Sequence, residues 1–168
     1  MDQKSMKRMW APWRMHYIQK INRQKKKCIF CEAYKSKNKK DKLVVAKSKQ
    51  SLALLNLFPY NNGHIMVAPR RHVADLEKLT TSELLALWTM VKELVAALKK
   101  IFRPAGFNIG INIGKEAGAG IDQHLHIHIV PRWTGDTNFM PVCSSTKVIS
   151  QSLSELYGLL KKCLHEKK

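Results

Sequence analysis

Two hydrophobic periods alternate along the chain. Leu43 to Lys47, Ser51 to Leu57 and His64 to Pro69 are apolar runs of strand length. A polar turn, Ser48-Lys49-Gln50, separates the first two runs. The turn-rich stretch Phe58-Pro59-Tyr60-Asn61-Asn62-Gly63 separates the second from the third. The period then lengthens. Leu84, Leu87, Trp88, Val91, Leu94, Val95, Leu98 and Phe102 recur at helical spacing up to Pro104. Thr80 and Glu83 at its start read as a capping box. The apolar stripe is wide enough to cover a sheet and still offer surface to a second subunit.

Beyond that helix the period returns to two. Phe107 to Gly114 sets an aromatic and isoleucines against Asn108, Gly110, Asn112 and Gly114. Gln123 to Trp133 sets Leu125, Ile127 and Ile129 against His124, His126 and His128. Each reads as a strand with two unlike faces, and the intervening loop joins them as a hairpin. Leu153, Leu156, Tyr157, Leu160 and Leu164 mark a C-terminal amphipathic helix. This order predicts an α+β fold, a sheet of about five strands with one long helix and a C-terminal helix.

At 168 residues and 45% hydrophobic content, one globular domain is expected. It spans residues 28–168 and includes the C-terminal helix, behind a basic arm of residues 1–27. The arm carries Trp10-Ala11-Pro12-Trp13-Arg14, and tryptophans are rare in disordered tails. We therefore expect it to dock on the domain or on a partner subunit. No apolar run reaches membrane-span length, so a soluble, cytoplasmic protein without membrane insertion is expected. Thirty Lys and Arg against 12 Asp and Glu give a net charge of +18. That excess favours anionic partners, with nucleic acid among them, although a lysine-rich solvated surface accounts for it equally well.

The candidate chemistry concentrates in three places. Same-face residues on a strand lie roughly 6–7 Å apart, close to the spacing of successive groups along a polyphosphate. The three histidines therefore form a row facing solvent or a cleft, suited to metal binding or catalysis. Small and amide side chains on the Asn/Gly strand leave room for a ligand to approach the backbone. The loop Lys115 to Gly120 offers amides to phosphate oxygens. Cys28-Ile29-Phe30-Cys31 can aim two sulfurs at one Zn²⁺, with Lys25, Lys26 and Lys27 favouring the thiolates. Its two remaining ligands must come from elsewhere. Cys143 and Cys163 read as ordinary thiols. His64 and His72 stand at the two ends of one strand.

His-x-His-x-His with the apolar pair that follows resembles the defining motif of the histidine triad (HIT) family of nucleotide hydrolases and transferases. From Cys28 to Trp133 the chain is similar to a HIT domain. The Trp10–Arg14 segment and His-Ile-Val-Pro-Arg-Trp resemble the prokaryotic branch related to diadenosine polyphosphate phosphorylases and hydrolases. The resemblance implies an antiparallel sheet with packed helices, usually as a homodimer. It implies His126 as the nucleophile that forms a nucleotidyl-histidine, and His128 as a hydrogen-bond donor to phosphate or leaving group. His64 and Asn112 would line the phosphate site, Asn56 would contact ribose, and Gly118, Gly120 and Gln123 would lie on the substrate. Cys28, Cys31, His72 and His124 would hold a structural zinc. Where many family hydrolases carry Gln-Ser before the triad, this chain has Gly120-Ile121-Asp122-Gln123.

The function expected on this reading is cleavage at the α-phosphate of a dinucleoside polyphosphate or a nucleoside-phosphate conjugate. The competing readings are a basic nucleic-acid-binding protein built on the same core, and a repair enzyme that removes adenylate from nucleic-acid ends.

Overall fold

The computed structural model describes residues 28–137 and 148–165. The basic arm with its two tryptophans, and Cys143, lie outside the described residues. Strands β1 (Val44–Lys47), β2 (Ser51–Leu55), β3 (Ile65–Pro69), β4 (Gly106–Ile111) and β5 (Ile127–Arg132) form one antiparallel sheet in the order β1-β2-β3-β5-β4. Helices α1 (Ile29–Lys35), α2 (Thr81–Phe102) and α3 (Leu153–His165) pack on it, and a short 3₁₀ turn spans Leu76–Lys78. The α+β expectation holds.

Period-two side chains divide the core into two layers. Ala53, Leu55, Ile65, Val67, Ile127 and Ile129 face α2 and α3, meeting Leu87, Val91, Leu94, Leu98, Leu156 and Leu160. Leu52, Leu54, Met66 and Ala68 point the other way, onto Phe30 and Ala33 of α1. The Cys-x-x-Cys spacing opens a helix: Cys28 caps α1 and Cys31 lies within it. Phe30, buried between the cysteines, supplies the apolar anchor that makes a seven-residue helix worth forming.

Several strand ends fall short of the hydrophobic pattern. The histidine strand begins at Ile127 rather than Gln123, and the Asn/Gly strand stops at Ile111. The reason is the hydrogen-bond ladder: β3 pairs with β5 only from Ile65↔Ile129 to Val67↔Ile127. His124 and Leu125 continue the extended path by other bonds, the Leu125 amide donating to the Val73 carbonyl at 2.7 Å.

The capping box at α2 forms as expected, with Thr80 accepting from the Glu83 amide. Glu83 also takes two bonds from Arg71, at 2.9 and 2.8 Å. Arg71, followed by the Thr80 amide, holds the Glu83 carboxyl down at about 2. A carboxyl depressed by folding adds stability above its unfolded value near 4.5, and that stability is lost as pH falls towards 2. We predict that Glu83→Gln lowers Tm at neutral pH, and that the gap from wild type closes through this acid window. A pH-independent gap in thermal melts would refute the assignment.

Candidate active site and metal centre

The sheet face opposite α2 carries the functional row. His124, His126 and His128 are 0%, 3% and 9% exposed, so the row is buried rather than open to solvent. Phe30 covers it from α1, with its ring centroid 5.0 Å from those of both His124 and His126. Tyr60 covers the other end, 4.6 Å from the His64 ring and 5.8 Å from the His128 ring. Neither aromatic stands out in the sequence as a site residue. Phe30 sits inside the Cys-x-x-Cys spacing and Tyr60 inside a turn, where local pattern gives no sign of a ring stacked on a distant strand.

Each imidazole has its tautomer set by its partners. The Tyr60 amide donates to Nδ1 of His64 at 3.0 Å, and the Asn56 side-chain amide reaches the same nitrogen at 3.3 Å. The His64 proton therefore sits on Nε2, which donates to Nδ1 of His128 at 2.9 Å. His128 in turn keeps its proton on Nε2, where it can be donated to a ligand. His126 is oriented the other way: its Nδ1–H donates to the His124 carbonyl at 2.9 Å, leaving a lone pair on Nε2. One row thus presents a bare nitrogen beside an N–H donor.

Burial keeps these rings neutral. It pushes His64 down to about 3, helped by His128 and His126, and His128 down to about 4. His126 is also lowered by burial, against the opposing pull of its bond to the His124 carbonyl. A neutral imidazole is the form that can act as a nucleophile.

His64 packs behind His128 and is itself buried. Gly63 makes this placement possible. Its φ of +75° suits glycine, and a Cβ there would lie 3.0 Å from Pro131 Cγ. Asn56 is half-buried next to His64, with its Oδ1 accepting the Phe58 amide at 2.9 Å. Asn112 follows β4, and the register Gly110↔His128 and Ile111↔Ile127, continued one step, sets it opposite His126.

The glycine loop spends part of its donor capacity internally. The Gly118 amide donates to the Lys115 carbonyl at 2.9 Å and the Ala119 amide to that of Gly114 at 3.2 Å. Gly120 and Gln123 stand exposed beyond these bonds.

The opposite end of the row is a second site. Cys28, Cys31, His72 and His124 bring one ligand atom each to within 4.8 Å of one another. Cys28 Sγ lies 3.2 Å from His124 Nδ1, Cys31 Sγ lies 3.4 Å from His72 Nδ1, and the two Nδ1 atoms are 3.2 Å apart. His124 donates its Nε2 proton to the Pro69 carbonyl at 2.9 Å, which frees Nδ1 for a cation. Burial and the neighbouring Cys28 raise the Cys31 thiol, with Lys35 opposing. A bound cation would reverse that balance by stabilising the thiolates.

A family model described as "HIT domain" matches residues 37–135. The AP-4-A phosphorylase of Mycobacterium tuberculosis is 40% identical over 162 residues, covering 92% of this chain and 83% of that protein. The asymmetrical bis(5'-nucleosyl)-tetraphosphatase of Schizosaccharomyces pombe is 41% identical over 93 residues, 55% of this chain and 50% of that protein. Among solved structures, a Zn-bound histidine triad family protein from Mycobacterium smegmatis shares the fold. Its TM-score is 0.60 at 24% identity, over 74% of this chain and 85% of that one.

Proposed function

Because the chain belongs to the histidine triad family, we propose that it transfers a nucleotidyl group from a dinucleoside polyphosphate, with inorganic phosphate as the second acceptor. The observation that carries this reading is the bare Nε2 of His126 next to the Nε2–H of His128. The choice of phosphate over water is supported by the relative named a phosphorylase, whose match extends over 92% of this chain.

In this mechanism Nε2 of His126 attacks the α-phosphorus. The Nε2–P bond forms as the P–O bond to the remaining polyphosphate breaks, and the electron pair leaves with that oxygen. His128 hydrogen-bonds the departing oxygen through Nε2–H. The Nδ1–H of His126 keeps donating to the His124 carbonyl, which stabilises the imidazolium of the nucleotidyl-histidine. The acceptor then attacks the same phosphorus and the pair returns to Nε2. His64 acts through His128, and Asn56 keeps a lone pair on Oδ1 for a ribose hydroxyl. Asn112, Gly118, Gly120 and Gln123 contact the phosphates. Product analysis on diadenosine tetraphosphate tests the reading. Phosphate-dependent ATP plus ADP supports it, phosphate-independent ATP plus AMP makes the enzyme a hydrolase, and no turnover overturns nucleotidyl transfer on this substrate class.

The second site fits zinc. Zn–S bonds near 2.3 Å and Zn–N bonds near 2.0–2.1 Å imply tetrahedral edges of roughly 3.3–3.8 Å. Three of the four sulfur-to-nitrogen separations and the nitrogen-to-nitrogen separation run from 3.2 to 3.7 Å, and all four ligand atoms lie within 4.8 Å of one another. Two thiolates and two imidazoles would complete a tetrahedron, so a bound zinc would hold α1 and the His72 loop to the histidine row without taking part in the chemistry. Reduced thiolate ligands suit the cytoplasm. Among the described residues no helix is long and apolar enough to cross a membrane.

The homodimer expected from the family uses the open edge of β4 and the outer side of α2. Ile109 projects at that edge and is 40% exposed, and Trp88 and Leu85 on α2 are 53% and 69% exposed. Light scattering of the wild type should give the mass of two chains at micromolar concentration, and Trp88→Glu/Ile109→Glu should give one. A monomeric wild type would refute the dimer.

A further inference from the structure

A cluster of cationic side chains lies at the far end of α1, away from the neutral histidine row. The Tyr34 hydroxyl donates to the carbonyls of Ser48 and Lys49, at 3.1 and 3.3 Å, and so ties α1 to the β1–β2 turn. The ring then carries two cations. Lys47 Nζ is 4.0 Å from its centroid, and the guanidinium carbon of Arg70 is 5.1 Å away. Lys49, Arg70 and Arg71 line an open cavity of about 380 Å³ beside them. Lys35 and Lys37 stand exposed at the end of α1.

The acids nearby are already engaged. Glu83 holds Arg71, and Glu32 holds Lys42. Among the described residues Lys35, Lys37, Lys47, Lys49 and Arg70 face no carboxylate within salt-bridge distance. Lys47 pairs with Leu52, whose side chain faces α1, and Arg70 continues the same alternation from Met66 and Ala68. The patch therefore shares a sheet face with the histidine row. It begins about 6 Å along α1, four residues at 1.5 Å each, from the Phe30 ring that touches His126.

We propose that this patch binds the phosphodiester backbone of a nucleic acid. The charges are spread over a helix end, a turn and a strand end, so they match a repeating anion better than a single phosphate. With its ring beneath cations and its hydroxyl committed to the turn, Tyr34 is a holder of charge rather than a platform for base stacking. Contacts of this kind read phosphates without reading sequence. The proposal is independent of the nucleotidyl-transfer reading.

The test is fluorescence anisotropy of a labelled DNA duplex with the full chain, titrated over salt. Lys47→Gln/Lys49→Gln/Arg70→Gln should weaken binding roughly tenfold or more at moderate salt. It should flatten the log–log salt slope by roughly two to three, since each phosphate contact contributes about 0.9. Lys37→Gln/Lys49→Gln removes two of these charges without disturbing Tyr34 and should act in the same direction with a smaller effect. Lys92→Gln/Lys99→Gln/Lys162→Gln, on α2 and α3, is the charge-matched control and should leave the slope near wild type. Turnover of diadenosine tetraphosphate should be unchanged in both patch variants, and the thermal melt unchanged in the variant that leaves Tyr34 undisturbed. The proposal fails if wild type does not bind the duplex, or if patch and control variants lose affinity equally. It also fails if inorganic polyphosphate binds more tightly than the duplex at equal phosphate concentration.

Discussion

Replacing His126 by alanine should lower turnover of diadenosine tetraphosphate by roughly four to six orders of magnitude, the range seen when a covalent nucleophile is removed. Substrate binding should survive, because Asn112, Gly120 and the His128 donor are untouched. The expectation rests on one asymmetry in the row. His124 turns its free nitrogen to the thiols and His128 turns its lone pair to His64, so only His126 presents a bare Nε2. A double displacement at phosphorus inverts twice, so the reaction should proceed with net retention of configuration at the α-phosphorus. An acid-labile, base-stable nucleotidyl adduct should be trapped on wild type and be missing from His126→Ala. Near-normal turnover in the variant, or single inversion at phosphorus, would remove His126 from the mechanism.

The second large effect is expected at the metal centre. Purified protein should hold about one zinc per chain. Cys28→Ser/Cys31→Ser should abolish binding and lower Tm by about 10 °C or more, since metal bound only by the folded state adds its binding free energy to folding. The consequence for catalysis follows from connectivity. Cys28 caps α1, α1 carries Phe30, and Phe30 packs on His124 and His126, whose own bond to the His124 carbonyl sets its tautomer. Loss of the metal should therefore reduce turnover through disorder of the row, with the residual rate recovering when temperature is lowered. Full stability in protein shown by elemental analysis to be metal-free would contradict this account.

Trp88 belongs to the helical stripe of α2 by spacing, yet it stays half-exposed while Leu87, Val91 and Leu94 are buried. Period 3.6 identifies which residues share a face. It does not say where the sheet beneath that face ends.

What the sequence determined by itself was whatever depends on residues close in the chain. Period-two and period-3.6 patterns placed all five strands and both longer helices, and the Thr80–Glu83 spacing placed the cap of α2. The His-x-His-x-His alternation put three imidazoles on one face before any contact was known. Only the tertiary structure decided what those imidazoles do. Their tautomers depend on the His64 ring and the Pro69 carbonyl, 64 and 55 residues away along the chain from His128 and His124, the nearer exception being the His124 carbonyl. Burial likewise came from outside the strand: the sequence leaves open whether the row faces solvent or a cleft, and Phe30 and Tyr60 close over it. Short helix α1 was invisible for the same reason, because its stability comes from Phe30 packing on β-strand residues rather than from seven residues' own propensity. Local periodicity records which side of the backbone a residue occupies, whereas the partner across the gap is set by how distant segments meet.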